Sequence, residues 1–209
     1  MTGHFRGGGD TGIPEFVPFP KIGRLNRNAI ITEKIDGTNA QVTIYRDAAD
    51  ELQIIAGSRK RWITPDDDNF GFAAWVAEHQ GALIAGLGEG THFGEWWGSG
   101  IQRGYGLKDG EKRFSLFNTG RWGGADTTRP SCCDVVPVLG YAGKVTDLAL
   151  TVDTVLNDLR VNGSVAAPNF PDAEGVVIFF PALGLLTKVT IKGDDKPKSS
   201  VEPEQEMAA

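Results

Sequence analysis

A chain of 209 residues with 40% apolar and 23% charged residues is built like one folded domain with a sizeable core, not like a disordered segment. No apolar run is long enough to span a membrane and the N-terminus lacks an apolar signal core. The two cysteines, Cys132 and Cys133, are adjacent and offer neither a staple nor metal-ligand spacing, so a cytoplasmic protein with no membrane partner is expected. The net charge of −6 lacks the basic footprint usual for nucleic-acid binders.

Residues 1–15, with Gly7-Gly8-Gly9-Asp10-Thr11-Gly12, follow no strand and open no helix pattern, and read as a flexible segment rather than a phosphate loop. The folded domain is expected over 16–196, with Pro18 and Pro20 keeping its start extended, followed by an acidic tail over 197–209. Positive charge gathers at Lys21, Arg24 and Arg27, and again at Arg59, Lys60 and Arg61; either cluster also suits a solvated face. Ile30 and Ile31 predict a buried strand that delivers Lys34 into a turn at Asp36-Gly37. Further strands are predicted at Ala40–Tyr45, where apolar and polar residues alternate, and at Leu52–Ala56. A helix is expected over about Asp68–Leu83, capped by the aspartates at 66–68, with Phe72, Trp75, Val76 and His79 on one stripe. On that stripe His79 reads as a packed residue. Strands then follow at Thr91–Trp97 and Arg113–Phe117, and a long loop at Asn118–Asp134. Val152, Val155, Leu156 and Leu159 mark a second helix, and Val176–Phe180 and Leu185–Ile191 the last strands. Mostly antiparallel sheets with peripheral helices make an α+β domain.

A lysine fixed at a strand end is placed as a nucleophile would be, although on that segment alone a plain hairpin with a solvated lysine fits equally well. Other segments add chemistry. Ser58-Arg59-Lys60-Arg61 offers donors to a ribose or phosphate, and Gly94-Glu95-Trp96 sets a carboxylate among residues that would otherwise be buried. Arg113–Phe117 supplies an aromatic able to stack on a base, with at least one of Phe114 and Phe117 belonging to the core, Glu174 is an acid at a strand start, and Lys188, Thr190 and Lys192 share one strand face. Phe93, Trp96 and Trp97 read as core or as substrate-facing walls.

In order, these segments read Lys-x-Asp-Gly, a basic Arg segment, Gly-Glu, Phe-x-x-Phe, Glu-Gly-Val-Val and a lysine strand. From about residue 16 to 196 the chain resembles the lysine-dependent nucleotidyltransferase superfamily of ATP-dependent DNA ligases, RNA ligases and mRNA capping enzymes. Glu33-Lys34-Ile35-Asp36-Gly37-Thr38-Asn39 and the segment from Gly94 to Gly104 look most like phage-type RNA ligases that seal nicked duplex RNA. The resemblance implies a nucleotidyltransferase (adenylation) domain of the ATP-grasp-like ligase type. It implies that Lys34 attacks the α-phosphate of ATP to form lysyl–AMP. AMP then passes to a 5′-phosphate, and a 3′-hydroxyl displaces it, a chemistry of RNA repair. Lys34, Asp36, Glu174, Lys188 and Lys192 would be catalytic, and Glu33, Ile35, Asn39, Arg59, Glu95 and Phe117 would bind the nucleotide. Glu33 and Phe117 would address adenine, and Arg59 and Glu95 the ribose and its phosphate. Glu174 and Glu95 would hold Mg²⁺ or Mn²⁺. About one free lysine in 2,500 carries an unprotonated amine at neutral pH. Lys188 or Lys192 and the metal are therefore expected to favour that form, against the charge of Asp36 on the same strand face.

Three departures from the family pattern stand out. The paired lysines are four residues apart, a strand length of about 13 Å, so the two are expected to serve different phosphates. Asn118 stands where related ligases often carry an acid. The appended domain that clamps substrate in larger ligases is not in this sequence, so a catalytic domain, with a partner clamp as an option, is expected. A small ATP-dependent DNA ligase and a nucleotide- or RNA-binding module that needs a partner for sealing stand as alternatives. If the gene is phage-encoded, the compartment is the host cytoplasm.

Overall fold

The computed structural model describes Pro18, residues 28–125 and residues 127–193. The Gly-rich segment, the cluster of Lys21, Arg24 and Arg27, and the acidic tail lie outside the described residues. Two sheets carry the fold. The smaller is formed by β1 (Ala29–Lys34), β8 (Val138–Ala142), β9 (Gly175–Phe180) and β10 (Leu185–Thr190), in the order β10-β9-β1-β8 and antiparallel throughout. The larger contains β2 (Thr38–Arg46), β3 (Leu52–Ser58), β4 (Trp62–Ile63), β5 (Gly90–Gly98), β6 (Lys112–Leu116) and β7 (Cys133–Val135), in the order β4-β3-β2-β5-β6-β7. Its pairings are antiparallel except β6 with β7. The helices are α1 (Phe72–Glu78), α2 (Gln80–Leu87), α3 (Thr119–Trp122) and α4 (Val145–Asn162). Among the described residues no helix is long and apolar enough to cross a membrane.

Each sheet buries one face against helices. In the larger sheet Ala40, Val42, Ile44, Trp96 and Phe114 pack with Phe72, Val76, Leu83 and Leu87 of α1 and α2. In the smaller sheet Ile31, Val176 and Ile178 pack with Val152, Val155, Leu156 and Leu159 of α4, the stripe that predicted this helix. A third cluster of Ile35, Trp97, Tyr105, Val136 and Ala167 lies between the sheets.

The hairpin expected around Asp36-Gly37 does not form. β1 pairs with β8 and β9, and β2 pairs with β3 and β5, so the turn carries the chain from one sheet to the other. Gly37 permits this because the sheets nearly touch there: a Cβ on it would lie 2.5 Å from the Trp96 carbonyl oxygen and 2.8 Å from Trp97 Cβ. The helix expected over Asp68–Leu83 starts later and breaks at His79. Phe70 has φ of 55°, which forbids an earlier start, and the Asp68 carboxylate instead accepts the Ala73 and Ala74 amides at 2.8 and 3.0 Å. His79 is packed, as expected: its Nδ1 lies 2.9 Å from the Trp75 carbonyl and its ring stacks on Trp75. Within the predicted 118–134 loop, α3 and β7 form, and β8 follows without a sequence prediction. β7 has only three residues and β8 carries a central Gly140, which hides the strand period.

Candidate active site

Alternation along β1 sorts its side chains. Ile31 and Glu33 face α4, while Thr32 and Lys34 face away from it, on the side of their partners Val177 and Gly175 of β9. Lys34 therefore ends its strand at the junction between the sheets. Its Nζ lies 2.7 Å from Glu174 Oε2, with side-chain exposures of 21% for the lysine and 6% for the acid. Glu174 is seated by the next residue, Gly175, whose φ of 152° and close approach to the Val189 carbonyl suit glycine. The Glu174 carbonyl in turn accepts the Ile191 amide at 2.8 Å.

Glu95 reaches the same junction from the larger sheet, where it pairs with Asn39. Its Oε1 accepts the Gly37 amide at 3.0 Å and its Oε2 accepts Asn39 Nδ2 at 3.2 Å. Burial pushes its pKa up from 4.5 to about 7; Lys34 and the Gly37 amide oppose the rise, and the carboxylates of Glu174 and Asp36 add to it. Folded protein thus holds the Glu95 proton between 4.5 and about 7, where the unfolded chain has lost it. Its stabilising contribution is complete at low pH and is lost as pH rises through 7. Glu95→Gln keeps an acceptor for Gly37 and removes this slope. Relative to the parent, the variant is expected to gain on the order of 3 kcal/mol in unfolding free energy between about pH 5 and pH 8. Urea unfolding at the two pH values measures this, and an unchanged difference would remove Glu95 as a buried, proton-holding acid.

The turn after Lys34 is braced from outside. Asp36 Oδ2 accepts Arg103 Nε at 2.9 Å, and the Asp36 amide donates to Tyr105 Oη at 2.7 Å. Arg103 Nη1 continues to Asp172, at 2.9 Å from its carbonyl and 2.7 Å from its carboxylate, whose other oxygen holds Lys192 Nζ at 2.7 Å. Desolvation raises the Tyr105 pKa, which keeps the phenol neutral as the acceptor of this amide.

Of the residues picked from the sequence, Lys34, Asp36, Asn39, Glu95 and Glu174 come together. Lys188 is exposed on the Val177 side of β10, and Lys192 lies past the strand end against Asp172, so the two lysines do have different neighbours. Arg59 is exposed beyond the end of β3, and Phe117 is 41% exposed just after β6. Glu33 is 1% exposed on the α4 side, where it accepts Ser164 Oγ at 2.5 Å and the amides of Val165 and Ala166 at 2.9 and 2.8 Å, and so braces that loop. The Ile35 side chain is buried in the third cluster. Lys34 is paired with the Glu174 carboxylate, and the charge of Asp36 is matched by Arg103.

Arg103, Tyr105, Asp172 and Ser164 were missed as supporting residues. Arg103 lies inside the Gly94–Gly104 segment, and Asp172 precedes Glu174 by two residues, so position gave a faint signal for both; Ser164 gave none. Among the described residues no three His, Cys, Asp or Glu side chains form a metal-ligand group. Glu95 and Glu174 supply a pair of hard oxygen donors, which fits Mg²⁺ or Mn²⁺ when phosphate and water complete the shell.

Residues 27–179 match the family model for RNA ligase. No curated protein sequence matches the chain. Among solved structures, the RNA ligase of Naegleria gruberi with PPi aligns with a TM-score of 0.54 and 19% identity, over 85% of this chain and 57% of that one. A mutant of that ligase with ATP and Mn gives 0.54 and 19%, over 79% and 49%. An archaeal ATP-dependent RNA ligase gives 0.52 and 18%, over 82% and 48%. At these identities the likeness is one of fold, and the chain spans about half the length of the ligases it matches.

Proposed function

The chain belongs to the RNA ligase family, and from that premise we propose that it is an ATP-dependent RNA ligase that works through AMP bound covalently to Lys34. The observation that carries this reading is the placing of Lys34: a rigid strand ends in it at the junction of two sheets, against the buried carboxylates of Glu174 and Glu95. In that reading Lys34 Nζ bonds to the α-phosphorus of ATP as the bond to pyrophosphate breaks. Glu174, 2.7 Å away, is the nearest acceptor for the departing ammonium proton. Glu95 and Glu174 would hold a divalent metal, which supplies positive charge beside the phosphates. Because Glu95 has a pKa of about 7, metal binding is expected to displace a proton from it. Asn39 keeps the Glu95 carboxylate oriented, Phe117 offers its ring to adenine and Arg59 its guanidinium to the ribose phosphate. Lys192 would leave Asp172 to meet phosphate oxygens, and Lys188, on the sheet face that carries Lys34, would meet a different phosphate.

The AMP would next pass to the 5′-phosphate of an RNA strand, forming a 5′–5′ pyrophosphate, and a neighbouring 3′-hydroxyl would displace AMP to close the phosphodiester. Nicked duplex RNA fits best, with a clamp domain or partner as an aid. Sealing of labelled nicked RNA, nicked DNA and single strands in gels, with ATP and Mg²⁺, tests this. Product from nicked RNA that requires the 5′-phosphate is expected; product from DNA alone would give the activity to a DNA ligase.

A further inference from the structure

We propose that Phe93 is a stacking platform for a base of the RNA strand, distinct from the Phe117 ring offered to the nucleotide; this rests on the ligase reading above. Phe93 lies in the middle of β5, on the face turned away from α1 and α2, and is 56% exposed. It is directly opposite Gln41 on one side, and its carbonyl accepts the Phe117 amide at 3.0 Å on the other. Phe93 and Phe117, both exposed, are therefore neighbours in register across β5 and the end of β6, and Phe93 is two residues along β5 from Glu95. Packing explains the buried aromatics Trp96, Trp97 and Phe114, but it does not explain this pair.

The surroundings select the occupant. Gln41 and Asn39 next to the rings are uncharged hydrogen-bonding groups, and Glu95 is buried with both oxygens engaged. On the far side of Gln41 the row reaches Gly57, and β3 then runs out into Arg59 and Lys60, both exposed. Aromatic faces bordered by cations on the β3 side, with the exposed Asp134 set beyond Ser115 on the opposite side, suit a single-stranded polynucleotide: the rings take bases and the cations take phosphates. A lone adenosine nucleotide needs one ring, which leaves the second for the strand that receives AMP.

The test uses the full chain and nicked RNA, with binding measured by fluorescence anisotropy across a salt series, before and after loading with ATP and Mg²⁺. Phe93→Ala is expected to form lysyl–AMP at a rate within about twofold of the parent and to bind RNA about tenfold more weakly at unchanged salt slope. Phe93→Trp should restore the affinity, whereas Lys60→Ala should flatten the slope. Unchanged RNA affinity, lowered lysyl–AMP formation, or a changed oligomeric state in Phe93→Ala would each overturn the proposal. If the parent forms no lysyl–AMP, the ligase reading fails, and the RNA-binding comparison still judges Phe93 separately.

Discussion

Glu174→Gln is expected to lower the rate of lysyl–AMP formation by at least about a hundredfold, with little change in folding. The amide keeps an oxygen at the position that faces Lys34, so the local hydrogen bond and the register of β9 with β1 are retained. What it loses is the negative charge, and with it both the nearest proton acceptor for Lys34 and one of the two carboxylates offered to a divalent metal. Groups aimed at a transferring phosphoryl group contribute most when charge develops, so the rate constant should fall more than the apparent affinity for ATP. Single-turnover labelling at saturating ATP separates the two. A fall confined to the affinity would make Glu174 a binding residue only.

Gly37→Ala is expected to damage fold and site together. Its Cβ would sit 2.5 Å from the Trp96 carbonyl, 2.8 Å from Trp97 Cβ and 3.0 Å from Glu95 Cγ. Two of these neighbours are backbone or Cβ atoms, which cannot swing aside, so the sheets must part where the chain crosses between them. Overpacking of this kind costs about 3 kcal/mol, which for a chain of this size lowers Tm by roughly 6–12 °C. The same displacement pulls the Gly37 amide away from Glu95 Oε1, so surviving protein should form lysyl–AMP poorly. Calorimetry and labelling together measure both effects; a variant that melts like the parent would show that the sheets tolerate separation there.

The parts of the site that the sequence made legible are those set by one strand or one turn. Lys34 at a strand end, Glu95 inside an apolar strand and Glu174 just ahead of Gly175 could each be located from local patterning. The stripe of Val152, Val155, Leu156 and Leu159 likewise located α4. What the sequence hid depends on contacts between distant segments. Asp36-Gly37 has the composition of a hairpin turn, and only the pairings of β1 and β2 make it a crossing between sheets. The bonds of Glu33 to Ser164 and the two following amides depend on a loop more than a hundred residues away, which no local pattern announces. The brace from Asp36 through Arg103 and Asp172 to Lys192 spans segments with no shared local pattern. β7 is too short to show a period, and its one partner is a parallel strand.

Lys34 at the sheet junction is to carry the AMP, and covalent labelling measures this. The full chain is incubated with α-labelled ATP and Mg²⁺, denatured, and examined for label carried covalently on the protein. An adduct that is labile to acid, maps to Lys34 and is absent from Lys34→Ala is expected. No adduct in the parent, or one that persists in Lys34→Ala, would contradict it.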